Sequence, residues 1–201
     1  RRRFNHWLAA SSIAGASGAV FGKQTAGNNH VAVIGAGIVG SSIAYHLSKL
    51  GVRVTLIERE TVASGASHGP FAWINATWAK QPRHYHAFSQ QGVNSWRRLQ
   101  EELDLPIVWG GSLEWFASDS RQARLASDIA EQQAWGEPAR MLTSAEAQAR
   151  EPDVNFHGAT QVASSPRDGA IDPVLVSKSL VAAAIHQGVQ VLERCEVLGV
   201  K

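Results

Sequence analysis

Along residues 29–201, runs of apolar positions change period in a way that lays out the secondary structure. Val31, Val33 and Ile34 form a short apolar run of the kind found in strands buried on both faces. Glycines follow at Gly35, Gly37 and Gly40, and from about Ile38 the pattern is helical. Ala44 keeps the sheet-facing side slim, and Gly51 acts as the stop. Residues 53–57 form a second strand that ends at Glu58. Residues 70–78 alternate loosely and predict an extended stretch. A helix from about Pro82 to Leu103 carries an apolar stripe of Phe88, Val93, Trp96, Leu99 and Leu103. Arg97, Arg98, Glu101 and Glu102 then face solvent, and His84 and His86 lie on the surface. Residues 107–109 and 112–117 predict a hairpin across Gly110-Gly111 that opens a second sheet. Leu125 and Ile129 mark the inner face of a helix over residues 119–135. Thr143 followed by Glu146 is a capping box that starts a short helix ending near Arg150. Residues 159–163 predict a strand and Arg167-Asp168-Gly169 a turn. Asp172-Pro173 begins a helix that stops at Gly188, and residues 189–192 and 195–200 predict two final strands.

The chemistry concentrates in the first unit. Gly35, Gly37 and Gly40 give G-x-G-x-x-G between a strand and a helix. The first glycine permits the tight turn, the second leaves room for a pyrophosphate, and the third lets helix and strand pack closely. The turn of Gly35, Ala36, Gly37, Ile38, Val39 and Gly40 would hold the phosphates at the N-terminus of the helix. Glu58, 18 positions after Gly40, would accept hydrogen bonds from ribose hydroxyls, with Arg59 beside it. A second small-residue loop, Ser64 with Gly65, Ala66, Ser67, His68 and Gly69, can bring N–H groups and hydroxyls to an anion. The fold class this predicts is α/β, with a Rossmann-like parallel sheet. The other reading of the glycines is a turn that only packs a strand on a helix, which leaves Glu58 unexplained.

Composition narrows the picture. The 201 residues are 44% apolar, enough for one core and part of another. The single cysteine, Cys195, excludes an internal disulfide. No zinc-ligand spacing or P-loop lysine is present, so no metal is expected. The net charge of +2 comes from the first 27 residues, which hold Arg1, Arg2, Arg3 and Lys23 and no acid. The remainder is slightly acidic, which argues against nucleic acid as a partner. Residues 1–28 have a basic head, an uncharged stretch at 7–21 and a polar tail, the layout of an export signal. The Arg1-Arg2-Arg3-Phe4 head resembles the twin-arginine signal family, with Asn5 and His6 where Leu and Lys often follow. A transit peptide would spread its arginines along a helix, and a spanning anchor needs a longer apolar run. The expectation is an exported, periplasmic protein, free or membrane-associated, handled by the export machinery. A start at Arg1 and an end at Lys201 after an apolar run predict a fragment cut at both ends.

The fingerprint, the Glu58-Arg59 pair and the Gly65-x-Ser67-x-Gly69 loop together resemble the FAD-dependent amino-acid oxidoreductases, the superfamily of D-amino-acid oxidase, glycine oxidase and sarcosine oxidase. Ser67-His68-Gly69 is similar to the sarcosine oxidase branch. The chain departs from that branch at Phe71, Ala72 and Trp73, where an arginine near the flavin is common. The order D-G-x-x-D-P, helix, G-V-x-V, strand again resembles the superfamily. The resemblance implies FAD as cofactor and a division into an FAD-binding domain (29–80 and 170–201) and part of an α+β substrate domain with antiparallel strands (81–169). It implies that a backbone amide near the start of the last strand, Val197 by position, reaches the adenine side. It also implies that much of the active site lies beyond Lys201, so that this piece alone is inactive.

The function expected is FAD-dependent oxidation of a small amine or amino acid, with hydride passing from the α-carbon to the flavin and onward to oxygen or a respiratory carrier. His68 is the one catalytic candidate, as general base or hydrogen-bond donor, against a histidine that only satisfies its loop. Two alternatives stand beside this reading: an NAD-dependent dehydrogenase, and a nucleotide-binding module without chemistry. Glu58 would repel a 2′-phosphate, which disfavours NADP.

Overall fold

A computed structural model describes residues 29–76 and 81–200. The proposed export signal and Trp78, in the expected extended stretch, lie outside the described residues. The chain begins with β1 (His30–Ile34), α1 (Ile38–Lys49) and β2 (Arg53–Ile57), as the apolar pattern predicts. Gly51, at φ +77°, takes the left-handed position after α1 that a side chain would resist. A 3₁₀ turn (Ala66–His68) and β3 (Trp73–Ile74) follow, then α2 (Arg83–Leu103), β4 (Ile107–Val108) and β5 (Ser112–Glu114). The remainder is α3 (Asp119–Ala134), β6 (Arg140–Thr143), α4 (Ser144–Arg150), β7 (Gln161–Ser165), β8 (Gly169–Ile171), α5 (Pro173–His186) and β9 (Gln190–Leu192).

These strands form three small sheets. The first is wholly parallel, in the order β1-β2-β9, with His30 opposite Arg53 and Thr55 opposite Gln190. The other two are antiparallel, in the orders β3-β8-β4 and β5-β7-β6. Helices α1 and α5 pack on each other and on one face of the parallel sheet. Leu56, Ala44, Val176, Leu180 and Ala184 are fully buried there. Asp172 caps α5 by accepting from the Val174 and Leu175 N–H groups at 2.8 and 2.9 Å, with Pro173 in the first turn. The capping box on α4 forms as expected: Thr143 Oγ1 accepts from the Glu146 N–H while the Glu146 carboxylate accepts from the Thr143 N–H at 2.8 Å.

Four expectations need correction. First, residues 107–109 and 112–117 do not form a hairpin. β4 pairs with β8 and β5 pairs with β7, so Gly110-Gly111 carries the chain from one sheet to another. Second, His86 is buried, 4% exposed, and its Nε2 shares a hydrogen bond with Glu137 Oε1 at 3.2 Å. The end of α3 folds back over that face of α2 and brings the Trp135 ring to 5.0 Å from the imidazole. Third, Phe88 is 70% exposed rather than part of the inner stripe, and Arg97 lies over the Trp109 ring at 3.9 Å rather than free in solvent. Fourth, residues 195–200 form no strand. They run beside the end of β2 through a Cys195 N–H bond to Glu58 O at 2.9 Å. Strands β6 and β8 are additional to those expected.

The apolar core of the parallel sheet also takes in Val93 and Leu99 of α2 and Ile107 of β4. A boundary near residue 81 therefore does not separate the cores. Smaller clusters around Leu142 and Phe156, and around Leu125 and Ile129, hold the third sheet against α4 and α3. Among the described residues, no helix is long and apolar enough to cross a membrane.

Candidate functional site

The turn from β1 to α1 is shaped by backbone fit. Gly35 sits at φ +96° and donates its N–H to Ile57 O at 2.7 Å, tying the turn to the end of β2. A Cβ on Gly40 would lie 1.8 Å from Gly35 O, so a side chain there would push α1 off the strand. This is the close packing expected of the third glycine. At Gly37 a Cβ would lie 2.8 Å from Ser67 Oγ. The space beside Gly37 is thus bounded by a hydroxyl from the second small-residue loop.

That hydroxyl has a second contact. Ser67 is buried, and its Oγ accepts from the Ile38 N–H at 2.9 Å, the first amide of α1. Gly37, in the N-cap position, offers no side chain for this purpose. A residue 29 positions away caps the helix instead. The N–H groups of Val39 and Gly40 remain without intrahelical acceptors, as the first-turn amides of any helix do. Together with the Ser67 O–H they form a donor set suited to an anion at the positive end of the helix.

Glu58 closes the other side. Its Oε2 accepts from the Ala36 N–H at 2.8 Å and its Oε1 from the Glu60 N–H at 3.0 Å. The Glu60 amide, and then the Ala36 and Arg59 amides, hold its carboxyl below the ordinary carboxylate range, against the opposing effect of partial burial. A carboxylate has about four acceptor positions, so with three amides bound one stays open for a hydroxyl donor. Glu58 lines a crevice of about 240 Å³ with Gly35, Arg59, Cys195 and Val197. Arg59 is exposed, 3.7 Å from the Glu60 carboxylate. Val197 therefore reaches the crevice without belonging to a strand.

The structure brings Gly35, Ala36, Gly37, Ile38, Val39, Gly40, Glu58 and Ser67 into one locality, with Arg59 and Val197 at the crevice. Gly65 and Ala66 shape the turn that presents Ser67 and are themselves exposed. His68 is exposed at the end of that turn, its N–H bonded to Gly65 O at 2.9 Å. No acid or carbonyl holds its ring among the described residues. The residues fit a nucleotide cofactor: glycines where a Cβ would collide, free amides at a helix start, and a carboxylate with an open acceptor position.

A second polar locality has no counterpart in the sequence reading. Asp168, in the turn between β7 and β8, is completely buried. Its Oδ2 accepts from Trp73 Nε1 at 3.0 Å and from Ser112 Oγ at 2.6 Å, joining β3 to β5. Its carbonyl accepts from the Gly111 N–H at 3.0 Å. Asp before Gly reads as a turn, and no sequence signal marks the carboxylate as a junction. No group of His, Cys, Asp and Glu among the described residues could hold a metal.

Comparison with known proteins points the same way. Residues 30–201 match the model of the family described as FAD dependent oxidoreductase, DAO. Mitochondrial sarcosine dehydrogenase of Mus musculus is 32% identical over 181 residues, 86% of this chain and 19% of that protein. The mitochondrial pyruvate dehydrogenase phosphatase regulatory subunit of Mus musculus is 25% identical over 173 residues, 85% of this chain and 20% of that protein. The solved structure of L-proline dehydrogenase from P. horikoshii aligns with a TM-score of 0.78 at 27% identity, covering 85% of this chain and 45% of that one. The chain spans about a fifth of the length of the two curated relatives.

Proposed function

We propose, from the premise that this chain belongs to the DAO family of FAD-dependent oxidoreductases, that it forms the cofactor-holding part of an enzyme oxidising a small amine or amino acid. FAD is the cofactor of that family. When bound, it accepts the hydride that leaves the substrate α-carbon. The remaining work belongs to this chain. The amides of Val39 and Gly40 and the Ser67 hydroxyl would hold the pyrophosphate, and Glu58 would hold the ribose. The crevice at Val197 would admit the adenine. His68 is the ionisable group of the second loop and serves in this reading as proton acceptor or hydrogen-bond donor. The electron acceptor is oxygen or a respiratory carrier, and the basic head at residues 1–3 supports export to the periplasm.

The observation that carries this reading is the pairing of Glu58 with the Ala36 amide beside the open amides of α1. The experiment is to purify the full-length protein and measure flavin absorbance, then turnover of sarcosine and other small amines with an artificial electron acceptor. In Gly37→Val the new side chain meets Ser67 Oγ and displaces the cap, and flavin stoichiometry should fall close to zero. Full flavin retention in that variant would refute the placement. A second reading, a nucleotide-binding regulatory module, is favoured by the similarity to the phosphatase regulatory subunit. Bound flavin without turnover of any amine would select it.

A further inference from the structure

A pocket of about 330 Å³ opens on the third sheet, and no residue of the glycine turn or of residues 65–69 lines it. Its polar side is built from the end of α4 and the end of β7. Arg150 donates from Nη1 to Ser164 Oγ at 2.9 Å, and Ser164 is itself buried, 4% exposed. The bond ties the guanidinium of Arg150, itself an exposed residue, to β7 and uses one of its five N–H donors. Because Ser164 Oγ accepts that bond, its own O–H remains available to donate. No carboxylate lies within ion-pair distance of Arg150 among the described residues. Glu146, one turn earlier, is taken by Thr143 and by Arg140 at 3.5 Å.

The rest of the pocket is equally defined. Leu113, Trp115 and Val154 give it an apolar wall, with the Trp115 ring set edge-on against Phe156 at 4.8 Å. Glu151, the exposed residue that ends α4, is the acidic member of the lining. Gly111 stands at φ +77°, where a Cβ would come within 3.1 Å of Ser165 O, so this wall can lie close to β7 only as glycine. A guanidinium tied to β7 with spare donors, an acidic residue in the lining and an apolar wall complement a small zwitterion that carries an alkyl group.

We propose that this pocket binds a small free amino acid, with its carboxylate on Arg150 and Ser164 and its ammonium toward Glu151. The inference stands independently of the cofactor reading, since it uses none of those residues. The experiment uses the full-length flavin-bound protein, kept anaerobic and without an acceptor, titrated calorimetrically with sarcosine, acetate and dimethylamine. Flavin difference spectra are recorded on the same samples. Arg150→Gln should weaken sarcosine and acetate binding about tenfold and leave dimethylamine unchanged. Arg150→Lys should keep most of the affinity, and Ser164→Ala should lose about threefold. The flavin spectral response to sarcosine should be the same in all three variants as in the parent. Equal sarcosine affinity in Arg150→Gln and parent would overturn the proposal. So would a loss that appears to the same degree in the flavin response, because the lost binding would then be binding at the cofactor.

Discussion

The parallel sheet and the antiparallel sheet beyond it solve the same problem with different parts of the chain. Around β1 and α1 the polar contacts are made largely by backbone groups. Gly35 N–H meets Ile57 O, Ala36 N–H meets the Glu58 carboxylate, Ile38 N–H meets Ser67 Oγ, and the next two amides of α1 are left open. Side chains are kept out by fit. Around β5 and β7 the polar contacts belong to side chains: Asp168 with Trp73 and Ser112, and Arg150 with Ser164. The first region leaves backbone donors open beside a turn cleared of side chains. The second is shaped by polar side chains of its own, one of them wholly buried.

The comparison can be broken at several points. The largest effect is expected at Gly40→Ala. Its Cβ would meet the Gly35 carbonyl, a backbone atom that cannot turn aside. The loss should be about 3–5 kcal/mol in chemical denaturation. An unchanged midpoint would show that the turn is not held by backbone fit. Asp168→Ala comes next, since it leaves the Trp73 N–H and Ser112 O–H facing an emptied, buried site. About 2–4 kcal/mol should be lost. Equal stability in this variant would mean that side-chain partners do not organise the second region.

Thr143→Ala removes one half of the capping box on α4 and should cost about 1 kcal/mol, read from the same denaturation curves. The smallest effect is expected from Glu58→Gln, and it should depend on pH. Glu58 titrates below its ordinary value of 4.5 in the folded chain. Its contribution is therefore full above that ordinary value and is lost as pH falls through the lowered one. The acid limb of the stability profile should flatten in the variant while the profile above pH 6 keeps its shape. A parallel shift of the whole profile would count against the amide contacts as the cause.

What could be read from the sequence follows the same division. The β1–α1–β2 unit is contiguous, its apolar period changes with each element, and its glycines mark the turn. Asp172-Pro173 and Thr143-Glu146 likewise act within four residues, and both caps are present. The antiparallel region depends on partners far apart in the chain. Ser112 pairs with Ser165 and Trp73 with Ala170, and no local pattern announces such pairs. Gly110-Gly111 fits a hairpin and a sheet-to-sheet passage equally well by composition. His86 looks like a surface residue until the end of α3 covers it. At the candidate site, the glycine spacing and Glu58 were readable, but Ser67 as the cap on α1 was not, because a cap is normally sought immediately before its helix.

That serine has a practical consequence for engineering. Anyone transplanting this glycine turn into a foreign βαβ scaffold as a six-residue cassette would leave behind the hydroxyl that closes the first amide of its helix, 29 residues downstream. The graft would have to be a two-piece insert, with both pieces held in register by the host.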